Sequence, residues 1–239
     1  MGVPATSPSG NVLTVLSAGR LMPIIVLDDA AAAAPLAEAL ATGGANCAEV
    51  TLRTTAAEPG LRTMAEDGRL VMGAGTVTTP AQVDRAVAAG ARFIVSPGFS
   101  AVVVRYCGAL GVPVFPGVAT ATEIMYTLDE GLDVVKFFPA EPMGGLATIS
   151  ALAAPFPGVS FIPTGGIKAA RLAAYLEHRS VLAVGGSWLV APELLAARAW
   201  SEVTRLTAEA VAVATQATHR RAPTPPLSPT PSISPIMNW

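Results

Sequence analysis

Lys136 stands in the run Val134-Val135-Lys136-Phe137-Phe138-Pro139-Ala140-Glu141. Lysine is an unfavourable residue for an apolar strand, because ordering its side chain costs entropy and burial disfavours an ammonium charge. The same burial suits an amine that must be uncharged to attack a ketone and form a Schiff base. The alternative is a lysine that snorkels to the rim of the fold. Of the 15 basic residues 13 are Arg, leaving only Lys136 and Lys168. Arg cannot form a Schiff base, so any amine chemistry must choose between these two. Lys168 follows Ile167 at the start of a helix-like segment and is read as solvent-facing.

A second group of candidates lies in Glu49-Val50-Thr51-Leu52-Arg53. Side chains alternate along a strand. Apolar Ala48, Val50 and Leu52 suit one face, and Glu49, Thr51 and Arg53 share the other, inward one. A carboxylate and a guanidinium there are costly unless paired or used. The bland reading is a buried Glu49–Arg53 ion pair that fills space; the functional one is a carboxylate positioned for acid–base work. Cys47, two residues before Glu49, shares its face and reads as inert packing. Glycines recur after later strands: Gly73-Ala74-Gly75-Thr76, Gly165-Gly166 and Gly185-Gly186-Ser187. The first group lets a ligand approach the backbone. The other two lie on adjacent strands, where backbone N–H groups and a hydroxyl can hold a phosphate. Two tight turns are the structural alternative.

These residues need a scaffold that brings strand ends together. Eight short apolar runs read as strands: 21–27, 47–52, 70–73, 92–96, 112–115, 134–138, 159–163 and 181–184. Helix-like segments lie between them, such as 30–41, 80–89, 120–128 and 169–177. Thr79 before Pro80, and Asp28-Asp29 before the first Ala run, are start signals; Gly43, Gly90, Gly111 and Gly131 are stop signals. Strand starts spaced by some 20 to 26 residues are the rhythm of βα units. Eight near-equal units predict an α/β protein, a single-domain (β/α)₈ TIM barrel, over a doubly wound open sheet. A short helix at about 12–18 is expected to plug the barrel floor. The expected organisation is an N-terminal segment, 1–20, the barrel, 21–216, and a Pro-rich disordered tail, 217–239.

Composition narrows the function. Charged residues are 13% of the chain, against about 25% in a typical soluble domain. Only two His and two Cys are present, scattered along the chain. A zinc site usually takes about three or four such ligands, so no metal is expected, and no GxSxG elbow supports a serine hydrolase. No apolar run approaches the roughly 20 residues of a membrane span, and the first residues lack a signal peptide's basic start and apolar run. A net charge of -2 argues against nucleic-acid binding. Two isolated Cys suit a reducing cytoplasm. A surface this poor in charge suits burial between identical subunits.

Taken in order, Glu49-Val-Thr-Leu-Arg53-Thr, Gly73-Ala-Gly-Thr76-Val, Ser96-Pro97-Gly98, Lys136-Phe-Phe-Pro-Ala-Glu, Pro-Thr164-Gly-Gly-Ile and Gly-Gly-Ser187-Trp resemble the 2-keto-3-deoxy-6-phosphogluconate (KDPG) aldolases, a family that includes 4-hydroxy-2-oxoglutarate (KHG) aldolases. The resemblance runs from about Leu21 to Gln216. It implies a cytoplasmic, homotrimeric class I aldolase of the Entner–Doudoroff pathway, needing no cofactor, that cleaves KDPG to pyruvate and glyceraldehyde 3-phosphate. It implies that Lys136 forms the Schiff base and Glu49 is the general acid/base. Arg53, Thr76, Pro97 and Thr164 would form the pyruvate pocket, and Gly165, Gly166, Gly186 and Ser187 the phosphate site. Arg20 stands where the family often carries a basic residue before its first strand. The Pro-rich tail lies outside the family pattern. Two alternatives stay open: an aldolase for the galactonate-derived epimer, and a phosphate-binding isomerase or epimerase without a covalent step.

Overall fold

A computed structural model describes residues 8–220. The expected tail lies outside the described residues except for its first four, which extend a helix. The strands are β1 (Leu21–Ile25), β2 (Cys47–Thr51), β3 (Val71–Gly75), β4 (Phe93–Val95), β5 (Val114–Phe115), β6 (Gly117–Val118), β7 (Val134–Phe137), β8 (Ser160–Pro163) and β9 (Val184–Gly186). The helices are α1 (Pro8–Gly19), α2 (Ala33–Thr42), α3 (Ala57–Asp67), α4 (Pro80–Ala88), α5 (Ala101–Leu110), α6 (Ala121–Asp129), α7 (Gly145–Ala153), α8 (Leu172–Glu177), α9 (Pro192–Ala196) and α10 (Trp200–Arg220).

All strand pairs are parallel. One run is ordered β5-β4-β3-β2-β1-β9 and the other β6-β7-β8. The bridges Phe161↔Val181 and Thr164↔Gly185 join β8 to β9. On the far side only Pro116 separates β5 from β6. Proline has no N–H for the ladder and so interrupts the strand, although its carbonyl still accepts from Lys136 N at 2.9 Å. The result is the expected (β/α)₈ barrel, with a broken fifth stave.

Most strands are shorter than expected at one end or the other, and two boundaries differ in ways that bear on the site. The third strand continues through Gly75 because Thr51 pairs with it in register. The last begins at Val184, where pairing with β1 starts; the residues before it meet β8 at the isolated Val181 bridge, in which Phe161 N bonds Ser180 O and Leu182 N bonds Phe161 O.

Alternation along the strands builds two cores. Met22, Ile24, Cys47, Phe93, Val95, Phe115, Val134 and Ile162 point into the barrel, where Val12 and Leu16 of α1 join them and close its floor. Ile25, Ala48, Val50, Ala74 and Phe137 face the helices. The helix starts read from sequence are built as caps. Asp29 accepts from Ala31 N, and Thr79 and Thr120 form capping boxes with Gln82 and Glu123. Helix α10 packs on α2 and α8. It continues to Arg220, and Ala217 is buried in it, so the Pro-rich segment begins later than residue 217.

Candidate active site

Glu49 projects inward from the middle of β2 and is 0% exposed. It fits there because its neighbour on β3 is small: a Cβ on Gly75 would fall on the Glu49 carboxylate, and one on Gly73 would fall on the Phe93 ring. These glycines therefore clear space for protein side chains, where the sequence suggested space for a ligand.

Lys136 enters the same space from β7 and is 5% exposed. Its Nζ lies 3.5 Å from Glu49 Oε1 and 5.1 Å from the centre of the Phe138 ring. Neither Glu49 oxygen accepts a hydrogen bond among the described residues. Charge-assisted N–H···O bonds are normally about 2.7–2.9 Å, and burying a charge costs several kcal/mol even after relaxation. A close pair of opposite charges with no supporting bonds is a poor stabilising device. It is a good proton exchanger, since the amine and the carboxylate can pass one proton without reorganising a network.

Arg53 does not pair with Glu49. Strand β2 ends at Thr51, and the chain turns there: Arg53 N bonds back to Thr51 O at 2.8 Å, and the Thr54 hydroxyl bonds Leu27 O. Alternation thus stops before Arg53, which stands exposed at the barrel mouth and donates from Nε to Thr76 Oγ1 at 3.2 Å. Thr76 has φ 61°, a left-handed conformation that is costly for a β-branched residue and concentrates at functional sites. Thr51, expected on the inward face, is buried and donates to Ile25 O at 3.1 Å.

Beside the pair opens a cavity of about 290 Å³, walled by Arg53, Phe138, Thr164, Gly165, Gly166 and Ser187, with Ile24, Val26, Val190 and Pro192 as its apolar side. Gly165 and Gly166 have φ 105° and 80°, values open to glycine at little cost. No backbone hydrogen bond from the Gly166 N–H is found among the described residues, whereas the Thr164↔Gly185 bridge turns the Gly165 N–H toward Gly185 O. An unused backbone donor and a hydroxyl on one wall suit an anion. Gly185 lines this wall; Gly186 lies behind it, where a Cβ would strike the Trp188 ring. Pro97 follows β4, and its carbonyl occupies the space a Cβ on Gly117 would need. Gly117 is the register partner of Lys136.

The remaining candidates fall elsewhere. Lys168 is exposed. His178 packs near Ser150, at 3.1 Å. Burial pushes the Cys47 thiol up to about 12, which fits an inert packing role. A larger hollow, about 790 Å³, lies between helices at the other end of the barrel, against Val12, Arg92 and Pro113, and contains none of these side chains. Two participants went unread in the sequence: Phe138, which touches both Lys136 and the cavity, and Glu141, which is bonded to Tyr175 behind the glycine loop. The sequence marks Phe138 only as an apolar neighbour that desolvates Lys136, and nothing local marks a carboxylate whose partner lies 34 residues away.

The family model of the KDPG and KHG aldolases matches residues 12–206. The chain is 46% identical over 204 residues to the 2-dehydro-3-deoxy-phosphogluconate aldolase of Treponema pallidum, spanning 85% of this chain and 97% of that one. Among solved structures it resembles the 2-keto-3-deoxy-6-phosphogluconate aldolase of Zymomonas mobilis ZM4 with 3-phosphoglycerate (TM-score 0.80, 42% identity, 86% of this chain and 97% of that one). It equally resembles the KDPG aldolase of Legionella pneumophila with pyruvate captured as a covalent carbinolamine intermediate (TM-score 0.80, 40% identity, 85% and 97%).

Proposed function

The chain belongs to the KDPG and KHG aldolase family, and from that premise we propose that it is a Schiff-base aldolase. It cleaves 2-dehydro-3-deoxy-6-phosphogluconate to pyruvate and glyceraldehyde 3-phosphate, and 4-hydroxy-2-oxoglutarate to pyruvate and glyoxylate. The observation that carries this reading is the buried Lys136–Glu49 pair, 3.5 Å apart and without other bonds to the carboxylate.

The steps follow from that pair. Glu49 takes the ammonium proton, freeing the Lys136 amine to attack the C2 ketone. The resulting carbinolamine loses its hydroxyl as water, using the proton on Glu49, and a cationic imine remains. Carboxylate Glu49 then takes the proton of the C4 hydroxyl. The C3–C4 bond breaks, its electrons pass into the imine, and the aldehyde leaves. Glu49 returns the proton to C3 of the enamine, and water releases pyruvate from Lys136. In this reading Arg53, held by Thr76, binds the pyruvate carboxylate, with Thr164 and Pro97 shaping that pocket. Gly165, Gly166, Ser187 and, from behind, Gly186 form the phosphate end. The 290 Å³ beside them suits a small phosphorylated acid.

Borohydride reduction with pyruvate tests the assignment. A reduced pyruvate adduct on Lys136, lost in Lys136→Ala, is expected; no mass change, or an adduct on Lys168, overturns it.

The assembly we propose is a homotrimer. Val102, Met125 and Tyr126 are exposed on α5 and α6, and Tyr126 stacks on Phe99 at 5.8 Å. A patch of this kind suits a partner surface. Sedimentation equilibrium should give three times the 24.2 kDa chain mass; a monomer overturns this. We infer a cytoplasmic location, which the family's metabolic role and two free, buried thiols support. No helix among the described residues is long and apolar enough to cross a membrane.

A further inference from the structure

Glu141 lies just beyond the strand that carries Lys136, outside the catalytic pair. Its carboxylate accepts a 2.7 Å hydrogen bond from the hydroxyl of Tyr175, a fully buried residue of α8. Arg171 lies at 4.0 Å from the same oxygen and over the Tyr175 ring. The surrounding backbone is closely fitted. A Cβ on Gly145 would come within 2.7 Å of the Tyr175 hydroxyl, so that position must stay bare for the bond to form.

The segment 138–141 is fastened to the glycine loop. Ala140 N donates to Thr164 O at 2.8 Å, and Glu141 N donates to Gly165 O at 3.0 Å. A Cβ on Gly165 would lie 3.2 Å from the Phe138 ring, and one on Gly166 would lie 2.9 Å from the Glu141 Cβ. The two left-handed glycines therefore rest on Phe138 and Glu141. Two bonds from the 140–141 backbone occupy carbonyls of the loop, while the Gly166 N–H takes no backbone partner among the described residues and both glycines line the cavity.

We propose that Glu141, clasped by Tyr175, is a positioning residue that holds the Gly165–Gly166 loop ready to bind phosphate, and so sets the preference for phosphorylated over unphosphorylated 2-keto acids. This rests on the aldolase reading above. The anchor of Glu141 is a neutral donor: burial first, then the bond to Glu141, push the Tyr175 phenol well above its ordinary range, so it stays protonated. The clasp touches no reacting atom. Its loss should loosen the phosphate end and leave the Lys136 chemistry intact.

The test compares Tyr175→Phe, Glu141→Ala and Glu141→Gln on KDPG and on 4-hydroxy-2-oxoglutarate, which has no phosphate. In the first two variants KM for KDPG should rise about tenfold, the scale of one hydrogen bond to a charged group. Their kcat should stay within about twofold, as should kcat/KM for 4-hydroxy-2-oxoglutarate. Inorganic phosphate, as a competitive inhibitor of KDPG cleavage, should weaken by the same factor. Glu141→Gln should restore most of the affinity, since its amide oxygen still accepts from Tyr175. An equal loss on both substrates, or an unchanged KM for KDPG in Tyr175→Phe, overturns the proposal. Tyr175→Phe decides alone if Glu141→Ala does not fold. The underlying reading fails separately, if wild-type enzyme traps no pyruvate or cleaves KDPG no better than the unphosphorylated substrate.

Discussion

The barrel buries a cation at each end and treats the two in opposite ways. At the floor, Arg20 is 3% exposed and donates to three carbonyls, those of Leu176 at 2.5 Å, Val181 at 3.2 Å and Leu182 at 3.4 Å. It ties the start of β1 to the segment leading into β9, where the barrel closes. At the mouth, Lys136 faces one carboxylate at 3.5 Å, and that carboxylate accepts no hydrogen bond among the described residues. The floor spends a guanidinium on backbone acceptors, which is how a buried charge becomes structural. The mouth leaves its charges under-bonded, which costs stability and frees them for proton transfer. Arg20, the basic residue before the first strand, is therefore far from the pocket and works as a fastener. The same division applies to backbone strain. Arg20 and Thr76 both have positive φ, at 53° and 61°, but one is held by its side chain's bonds to the floor and the other accepts from a mouth residue, Arg53.

If this contrast is right, substitutions at the mouth should remove activity and spare stability. Lys136→Met should lower kcat by about four orders of magnitude or more, the scale for loss of a covalent nucleophile that acts in concert with its base. The double variant Lys136→Met/Glu49→Leu should be as inactive, yet as stable as wild type or more so by up to about 4 kcal/mol, since apolar residues of similar volume often replace a buried pair without loss. Urea denaturation of both variants measures this. A double variant several kcal/mol less stable than wild type would show that the pair holds the fold together.

The reverse should hold at the floor. Arg20→Met leaves up to three buried carbonyls without their donor, at about 1 kcal/mol or more each. Unfolding stability should fall by about 3 kcal/mol, while kcat/KM per folded molecule stays within about twofold. Activity lost in proportion to the Lys136 variants, at unchanged stability, would put Arg20 in the site and erase the distinction.

Much of the mouth could be read from sequence because the signals there are violations of pattern. Lys136 breaks an apolar strand, Glu49 falls on the inward face by simple alternation, and glycines cluster where strands end. The barrel was legible from the spacing of its strands. What could not be read depends on partners distant in the chain. Arg53 leaves the strand pattern because β2 stops at Thr51. The last strand begins at Val184 because β1 supplies its partner there, and that register puts Gly185 on the cavity wall and Gly186 behind it. Pro116 divides a stave that composition alone would end at Phe115. The bond between Tyr175 and Glu141, and the floor bonds of Arg20, some 160 residues apart in the chain, have no local sequence mark.

Cys47 gives the finest test of the contrast, since it lies two residues below Glu49 on the same face of β2, where the floor's apolar filling begins. Burial raises its thiol from 9.0 to about 12. An acid whose folded value is raised holds its proton longer when folded than when unfolded. Its contribution to stability is therefore complete below about pH 9 and is lost as the pH rises toward 12. At pH 10, one unit above its unfolded value, the loss is about 1.4 kcal/mol. Cys107, raised to about 11, adds a loss of the same sign, but it is common to wild type and a Cys47→Ala variant. The fall in unfolding free energy between pH 8 and pH 10 should thus be about 1.4 kcal/mol smaller in Cys47→Ala, whatever the variant's absolute stability. An identical fall in both proteins, or rapid alkylation of native Cys47 at pH 9, would mean that water reaches the barrel interior below Glu49. The dry floor would then no longer separate structural burial from the under-bonded pair two residues above it.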